Sequence, residues 1–309
     1  MSKKKGNNQE KTVVAESSTK TRGREGGSKT ALITGASEGI GYELVKLFAR
    51  DGYDCVLVAR NKDRMDELAL EVEKSFGVTT WVIAKDLSRP EAAEEIFDEL
   101  SFIDVDVDVL VNNAGLGLYG DFADSDMERN MHLIQVNLVS LTNLTWLFLP
   151  GMIARKSGRI LTVGSIASFV PSPRFCIYNA SKAYVLFFSE ALREELKGTG
   201  VTVTCLCPGG TKTQWHSRAQ TEDIRLHRFT RMLDAGTVAE LGYQGLMRNK
   251  RVVVTGFDNN MTVLLSKFAP RSVVLKVSGF LTRMTGSSAL CSCAGRSAVE
   301  EVSHTQVLD

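Results

Sequence analysis

Only four histidines occur among the 309 residues, and they are scattered along the chain. They offer no obvious metal site, and none is expected. Six prolines form no rich linker that would split the body of the chain. The six cysteines, Cys55, Cys176, Cys205, Cys207, Cys291 and Cys293, include no C-x-x-C pair with zinc-finger spacing. Cys55, Cys205 and Cys207 sit in apolar runs, where cysteine behaves as a small hydrophobe. No stretch of about 20 apolar residues runs uninterrupted, so no membrane span is expected. The greasiest run, Leu133–Leu149, is broken by Gln135, Asn137 and Thr142 and reads as a buried helix. The N-terminus lacks the apolar core of a signal peptide. A reducing compartment, the cytoplasm, is therefore the expectation.

Net charge is also nearly absent, at +1, so bulk charge points to no nucleic-acid partner. What charge asymmetry exists is at the head, where residues 1–29 hold eight Lys/Arg against three Glu. Residues 1–28 are polar and aperiodic and read as a disordered basic tail. The whole chain is 43% hydrophobic and 24% charged, which excludes a fully disordered chain.

From Lys29 onward short apolar runs alternate with amphipathic ones. Thr30–Thr34, Asp54–Ala59, Thr79–Ala84, Val107–Asn112, Arg159–Gly164, Val201–Cys207 and Arg251–Thr255 read as strands. Between them Glu38–Arg50, Lys62–Phe76, Pro90–Leu100, Asp126–Arg155, Tyr178–Lys197 and Thr237–Arg248 carry helical spacing. Strands apolar throughout and alternating with helices imply a parallel sheet covered on both faces. The expected fold is α/β, one doubly wound Rossmann domain over 29–256, followed by a C-terminal apolar extension and flexible tail over 257–309.

Strand one runs into Thr34-Gly35-Ala36-Ser37-Glu38-Gly39-Ile40-Gly41 and then a helix. Glycines at such a turn let backbone approach a phosphate, and the helix N-terminus supplies free N–H groups and partial positive charge. The spacing is G-x-x-x-G-x-G rather than G-x-G-x-x-G. In a doubly wound fold an acid at the tip of strand two binds the ribose of NAD, whereas Arg accommodates the 2′-phosphate of NADP. Strand two ends Val58-Ala59-Arg60-Asn61, with no acid at the tip. Arg60, assisted by Arg64 one turn on, favours NADP(H). Glu38 is a counter-sign.

Tyr178 and Lys182 stand at i and i+4 and share one helix face. A nearby ammonium favours phenolate and draws the tyrosine toward working pH, making it a proton donor and acceptor for a carbonyl/alcohol pair. Ser165 follows strand five and is placed to hold a substrate oxygen, with Ser168 as a rival. Asn112-Asn113-Ala114-Gly115 closes strand four, where strand-end loops form the ligand crevice. Asn137 inside an apolar helix requires a hydrogen-bonded amide. Pro208-Gly209-Gly210-Thr211-Lys212-Thr213 breaks the chain after strand six.

Together these motifs, spread in order over residues 29–256, resemble the short-chain dehydrogenase/reductase family, and within it the 3-oxoacyl and hydroxysteroid reductase group. The resemblance implies a seven-stranded parallel sheet in the order 3-2-1-4-5-6-7. It implies a catalytic set of Asn137, Ser165, Tyr178 and Lys182, with Tyr178 as general acid/base and Asn137 kinking its helix and holding a relay water. Gly35, Ser37, Gly39, Ile40 and Gly41 would form the pyrophosphate turn. Asp86 would meet the adenine amino group, and Asn113 and Gly115 the adenine ribose. Lys182 would bind the nicotinamide ribose, with Thr211 near the carboxamide and Thr213 on the nicotinamide or phosphate side. The implied activity is NADP(H)-dependent reduction of a small-molecule carbonyl to an alcohol. The competing reading is a catalytically silent nucleotide-binding sensor or scaffold.

By the same analogy the helices Asp126–Arg155 and Tyr178–Lys197 would pair across a two-fold axis, giving a homodimer or homotetramer. Residues 214–236 would be a substrate lid, mixing Trp215, Leu226, Phe229, Met232 and Leu233 with Arg218, Arg225, Arg228 and Arg231. Two readings of that mix stand: a lipid-like substrate with an acidic end, or an ordinary amphipathic lid. Met261–Leu281 also has two readings. It is either an interfacial helix pair with Lys267, Arg271 and Lys276 toward headgroups, or a helix packed over the substrate cleft or a subunit contact. The second is preferred.

Overall fold

Alternation within β1 (Thr30–Thr34) sends Leu32 to one face of a sheet and Ala31 and Ile33 to the other, and all five residues are buried. A strand buried on both faces needs a layer of helices on each side. β2 (Asp54–Ala59), β4 (Val109–Asn112), β5 (Gly158–Val163) and β6 (Val201–Cys207) follow the same logic, whereas β3 (Thr80–Ala84), at the edge of the sheet, is only partly covered. The structure, a computed structural model, describes residues 27–215, 219 and 232–283.

On one side of the sheet Leu44, Val45 and Phe48 of α1 (Gly39–Arg50) and Met65 and Leu68 of α2 (Lys62–Phe76) pack on Ile33, Leu57 and Val111. On the other, Ile96 and Leu100 of α3 (Ala92–Phe102) share a core with Leu32, Val58, Leu110 and Ile160. Local signals set the ends of these helices. Asn61 caps α2 by accepting from the Arg64 N–H, and Gly77, at φ 69°, ends it in the left-handed conformation.

The run expected as one helix over Asp126–Arg155 is α4 (Met127–Ile134), a π-helical stretch Gln135–Ser140, and α5 (Leu141–Ala154). The π stretch carries Asn137, whose amide is engaged outside the helix. By length and composition alone Met127–Ala154 is long and apolar enough to cross a membrane, as core helices of other folds also are. In this fold it packs inward through Leu133, Leu144, Phe148 and Met152.

After β5 comes α6 (Cys176–Glu195), then β6, and a two-stranded parallel pair of β7 (Thr211–Lys212) with β8 (Leu233–Asp234). That pair clamps together the two stems of the segment between them. The expected lid residues Arg218, Arg225, Leu226, Arg228, Phe229 and Arg231 lie outside the described residues, as do the basic head 1–26, Cys291 and Cys293. α7 (Ala235–Met247) leads to β9 (Val252–Val254).

The main sheet has seven strands in the order β3-β2-β1-β4-β5-β6-β9, all neighbours parallel. The chain order reverses between β1 and β4, so a crevice opens beyond their C-terminal ends. Ala269 and Pro270 break the last apolar stretch into α8 (Phe257–Phe268) and α9 (Arg271–Leu281). This pair is tied over the crevice: Ser278 donates to the Pro171 carbonyl at 2.8 Å, and Tyr119 to the Thr282 carbonyl at 2.7 Å.

Candidate active site

The crevice is a cleft of about 930 Å³, reached by residues from almost every strand end. Its floor at the switch point is held by one hydroxyl. Thr34 Oγ1 donates to the Val111 carbonyl at 3.2 Å and accepts from the N–H groups of Asn113 and Ala114, each at 3.0 Å. Asn113 Nδ2 donates back to the Thr34 carbonyl at 2.8 Å and the Gly35 carbonyl at 3.3 Å. The glycine turn and the N-N-A-G corner are thus one rigid unit.

Glycine is required in that turn. Gly35 and Gly39 sit at φ 67° and 56°. A Cβ on Gly41 would overlap the Gly35 carbonyl oxygen, and one on Gly39 would lie 3.0 Å from the Thr213 methyl. Gly41 therefore packs the turn from behind, while Gly35, Ser37, Gly39 and Ile40 line the cleft. Glu38, the N-cap of α1, makes no side-chain capping bond, so it leaves the first helical N–H groups uncapped.

At the far end Arg60 lines the cleft beside Asp86. Burial raises the Asp86 carboxyl, but hydrogen bonds from Ser88 and the charges of Arg60 and His132 outweigh it and hold the group below its usual range. Arg64 does not reach the cleft. Its guanidinium lies 3.9 Å from the Glu38 carboxylate, so its part is to offset the one acid in the turn.

The chemical end is built on α6. Lys182 is buried and donates to the Val163 carbonyl at 2.8 Å. Burial draws its ammonium down to about 8, against a raising pull from Cys205 and Cys207. Tyr178 departs from expectation: its hydroxyl is pushed up to about 12 rather than lowered. Burial is the largest cause, and hydrogen bonding with Ser165 opposes it only in part. The Lys182 ammonium lies 5.9 Å from the Tyr178 ring centre and spends its hydrogen bond on backbone.

The two serines separate cleanly. Ser165 lines the cleft and caps the short helix Ile166–Phe169 by accepting from the Ala167 N–H at 3.1 Å. Ser168 is buried and donates to the Lys182 carbonyl at 2.7 Å, so it supports α6. Asn137, fully buried, accepts from the Leu116 N–H at 2.8 Å and donates to the Leu116 carbonyl and Ser181 Oγ, both at 3.0 Å. A Cβ on Gly115 would stand 3.2 Å from Lys182 Nζ and 3.5 Å from Asn137 Oδ1, which brings those two groups to one spot. Thr211 and Thr213 close the cleft from the β6 side.

Other lining residues escaped the sequence reading. The Trp215 ring stands 5.1 Å from that of Tyr178, and Gly117 is bare because any Cβ would overlap the indole. Phe175 extends the aromatic wall, with its centre 6.0 Å from the Tyr178 ring. Leu265, Val273 and Val277 of α8 and α9 complete an apolar side. Trp215 had been noted only as a lid residue, and nothing local marks Gly117. Among the described residues no group of three or more His, Cys, Asp and Glu is placed to hold a metal ion.

Comparison with known proteins gives the family and the fold. The family model described as "short chain dehydrogenase" matches residues 29–223. A very-long-chain 3-oxoacyl-CoA reductase from Bos taurus is 38% identical over 184 residues, 58% of this chain and 58% of that protein. The match thus spans a little over half the length of that relative. Sulfoacetaldehyde reductase 2 from Chromohalobacter salexigens is 37% identical over 220 residues, 69% of this chain and 86% of that protein. A short-chain dehydrogenase from Sphingobium yanoikuyae, solved in complex with NADPH, superposes with a TM-score of 0.69 at 32% identity, covering 77% of this chain and 95% of that one. With the seven-stranded sheet, the glycine turn and the Tyr178–Lys182 pair in one cleft, these matches make the chain a member of the short-chain dehydrogenase family of oxidoreductases.

Proposed function

We propose that the chain reduces an apolar carbonyl compound to an alcohol with NADPH. The observation that carries this is the convergence, in one cleft, of the glycine turn, Arg60, Ser165, Tyr178 and Lys182. The residues present fit a dinucleotide. The turn is so close-packed that side chains are excluded at Gly35 and Gly41, the Glu38 side chain does not cap the start of α1, and the Arg60 cation lines the cleft at the tip of β2. When bound, the nicotinamide supplies the hydride.

This chain's own residues do the rest. Arg60 holds the 2′-phosphate, and the glycine turn with the α1 N-terminus holds the pyrophosphate. Asp86 closes the adenine end, and Asn113 and Gly115 shape the ribose wall. Lys182, charged below about 8, holds the nicotinamide ribose and shares its spot with Asn137, which completes the proton path. Ser165 orients the carbonyl oxygen. Tyr178, raised to about 12, keeps its proton at neutral pH and donates it to that oxygen. A protonated tyrosine favours the reductive direction. The apolar wall of Trp215, Phe175, Leu265 and Val277 supports a bulky, lipid-like substrate, the kind of compound named for the cattle relative.

Free thiols at Cys55, Cys176, Cys205 and Cys207 support a cytoplasmic setting. The outward apolar residues Trp146 of α5 and Phe187 of α6, 71% and 68% exposed, support a homodimer or homotetramer paired across these helices.

The test is nucleotide binding by fluorescence followed by NADPH oxidation on a panel of long-chain 3-oxoacyl thioesters and bulky ketones. Wild type should turn over NADPH. Tyr178→Phe should bind it equally well while losing roughly 10³-fold in kcat. Binding with no turnover on any member of the panel would favour the silent sensor.

A further inference from the structure

The α8–α9 pair has two kinds of face. Inward, Asn259, Val263 and Ser278 are buried against the body. Outward, Phe257, Met261, Leu264 and Phe268 of α8 recur at i, i+4, i+7 and i+11 and form one stripe. Phe257 and Phe268 are 78% and 81% exposed. On α9, Val273 and Val277 form a second stripe. These stripes do not stop at the surface. Leu265, Val273 and Val277 are 62%, 47% and 53% exposed yet also line the cleft, so outer apolar surface and cleft wall are continuous at its mouth.

The charges on this pair are of one sign with a single exception. Lys267, Arg271, Lys276 and Arg283 flank the stripes, and none forms an ion pair among the described residues. Asp258 is the lone acid between Phe257 and Arg283. Apolar stripes bordered by cations suit a surface that is greasy within and anionic at its boundary. A protein surface or a second copy of this chain supplies the first property, but among the described residues of this pair Asp258 is the only acid to meet those cations.

We propose that α8 and α9 dock the protein on an anionic lipid bilayer, with the cleft mouth against the membrane. Phe257, Met261, Leu264 and Phe268 enter the headgroup–acyl boundary, and Lys267, Arg271 and Lys276 meet lipid phosphates. An apolar compound dissolved in the bilayer then passes from lipid to cleft wall without crossing water. Membrane docking stands whether or not the carbonyl reading is right, and its test reads vesicle binding alone.

The full chain is co-sedimented with phosphatidylcholine/phosphatidylglycerol vesicles and with phosphatidylcholine vesicles. Wild type should bind the mixed vesicles and bind less as salt rises. The combined variant Phe257→Ser, Leu264→Ser, Phe268→Ser should lose roughly tenfold or more in vesicle affinity while its Tm is held or raised, since these side chains are exposed. Lys267→Gln, Arg271→Gln, Lys276→Gln, a second and milder variant, should erase the preference for the anionic lipid. Three results overturn the proposal. One is wild type that stays in the supernatant. Another is a serine variant that binds like wild type, which would assign binding to the basic head. The third is a dimer, lost in the serine variant, in a protein that ignores vesicles, which would give this face to a second copy.

Discussion

The two ends of the cleft are made in different ways. The nucleotide end is backbone fastened by hydrogen bonds: Thr34, Asn113 and the glycines leave no room for added atoms. The carbonyl end is side chains in contact: Trp215, Phe175 and the helices α8 and α9 make an apolar wall with few directional bonds. Close-packed, directional sites tolerate no change in volume, whereas apolar walls adjust. The first end should thus fail sharply on substitution and the second by degrees.

Lys182 stands at the junction and gives the largest expected effect. Replacing it with Met should lower kcat/KM about 10²-fold or more, because the proposed ribose contact and proton path would both go. The same change should stabilise the protein. The folded state holds the lysine proton only to about 8, against 10.5 for the free group, so at neutral pH its charge is buried at a cost. That cost is on the order of 3 kcal/mol, reduced by about 1 kcal/mol for the lost bond to the Val163 carbonyl. Between about 8 and 10.5 the unfolded chain holds the extra proton, so wild-type stability rises with pH there. Thermal melts should show Lys182→Met a few degrees above wild type at pH 7 and level with it by about pH 10. Equal melts at pH 7 would remove the claim of a buried charge. Wild-type reduction should fall as pH rises through about 8 and the ammonium is lost.

Gly41→Ala tests the packed end directly. Its new Cβ would overlap the Gly35 carbonyl oxygen, which is fastened to Asn113. Overpacking of this kind costs about 1–3 kcal/mol, so Tm should drop by several degrees and NADPH affinity by roughly tenfold or more. Arg60→Ala is gentler. It should weaken NADPH about tenfold while leaving NADH unchanged in the same fluorescence titration, since the proposed phosphate contact would be removed and the turn is untouched.

The same contrast governs what the sequence disclosed. The strands were legible because runs such as Cys55–Val58 and Val109–Val111 are buried on both faces and so are apolar throughout. The nucleotide end was legible because glycine and asparagine at fixed spacing have few other uses. The break at Gln135–Ser140 was not legible in the periodicity, because the run around it is apolar on several faces; only the family resemblance implied a kink, at Asn137. The raised tyrosine was missed for a similar reason. Spacing puts Lys182 near Tyr178 but says nothing of burial, and burial outweighs the charge. Gly117 needed Trp215 beside it to acquire meaning. Leu265 and Val277 look in sequence like any core residue.

Leu265→Ala is the smallest effect and sharpens the comparison most. The side chain is 62% exposed and borders the cleft, so its loss leaves little cavity and should change Tm by less than about 1 kcal/mol would. NADPH binding should be unchanged, since no contact with the nucleotide end is involved. What should move is KM for the longest apolar substrates, by a few-fold, as roughly 1 kcal/mol of wall contact is lost. Short carbonyls held only by Ser165 and Tyr178 should not notice. A chain-length series of 3-oxoacyl thioesters run on both proteins would show the two curves diverging with length. Parallel curves would mean that substrate never reaches α8. In that case the apolar wall would end at Trp215, and the two ends of the cleft would differ less than their construction implies.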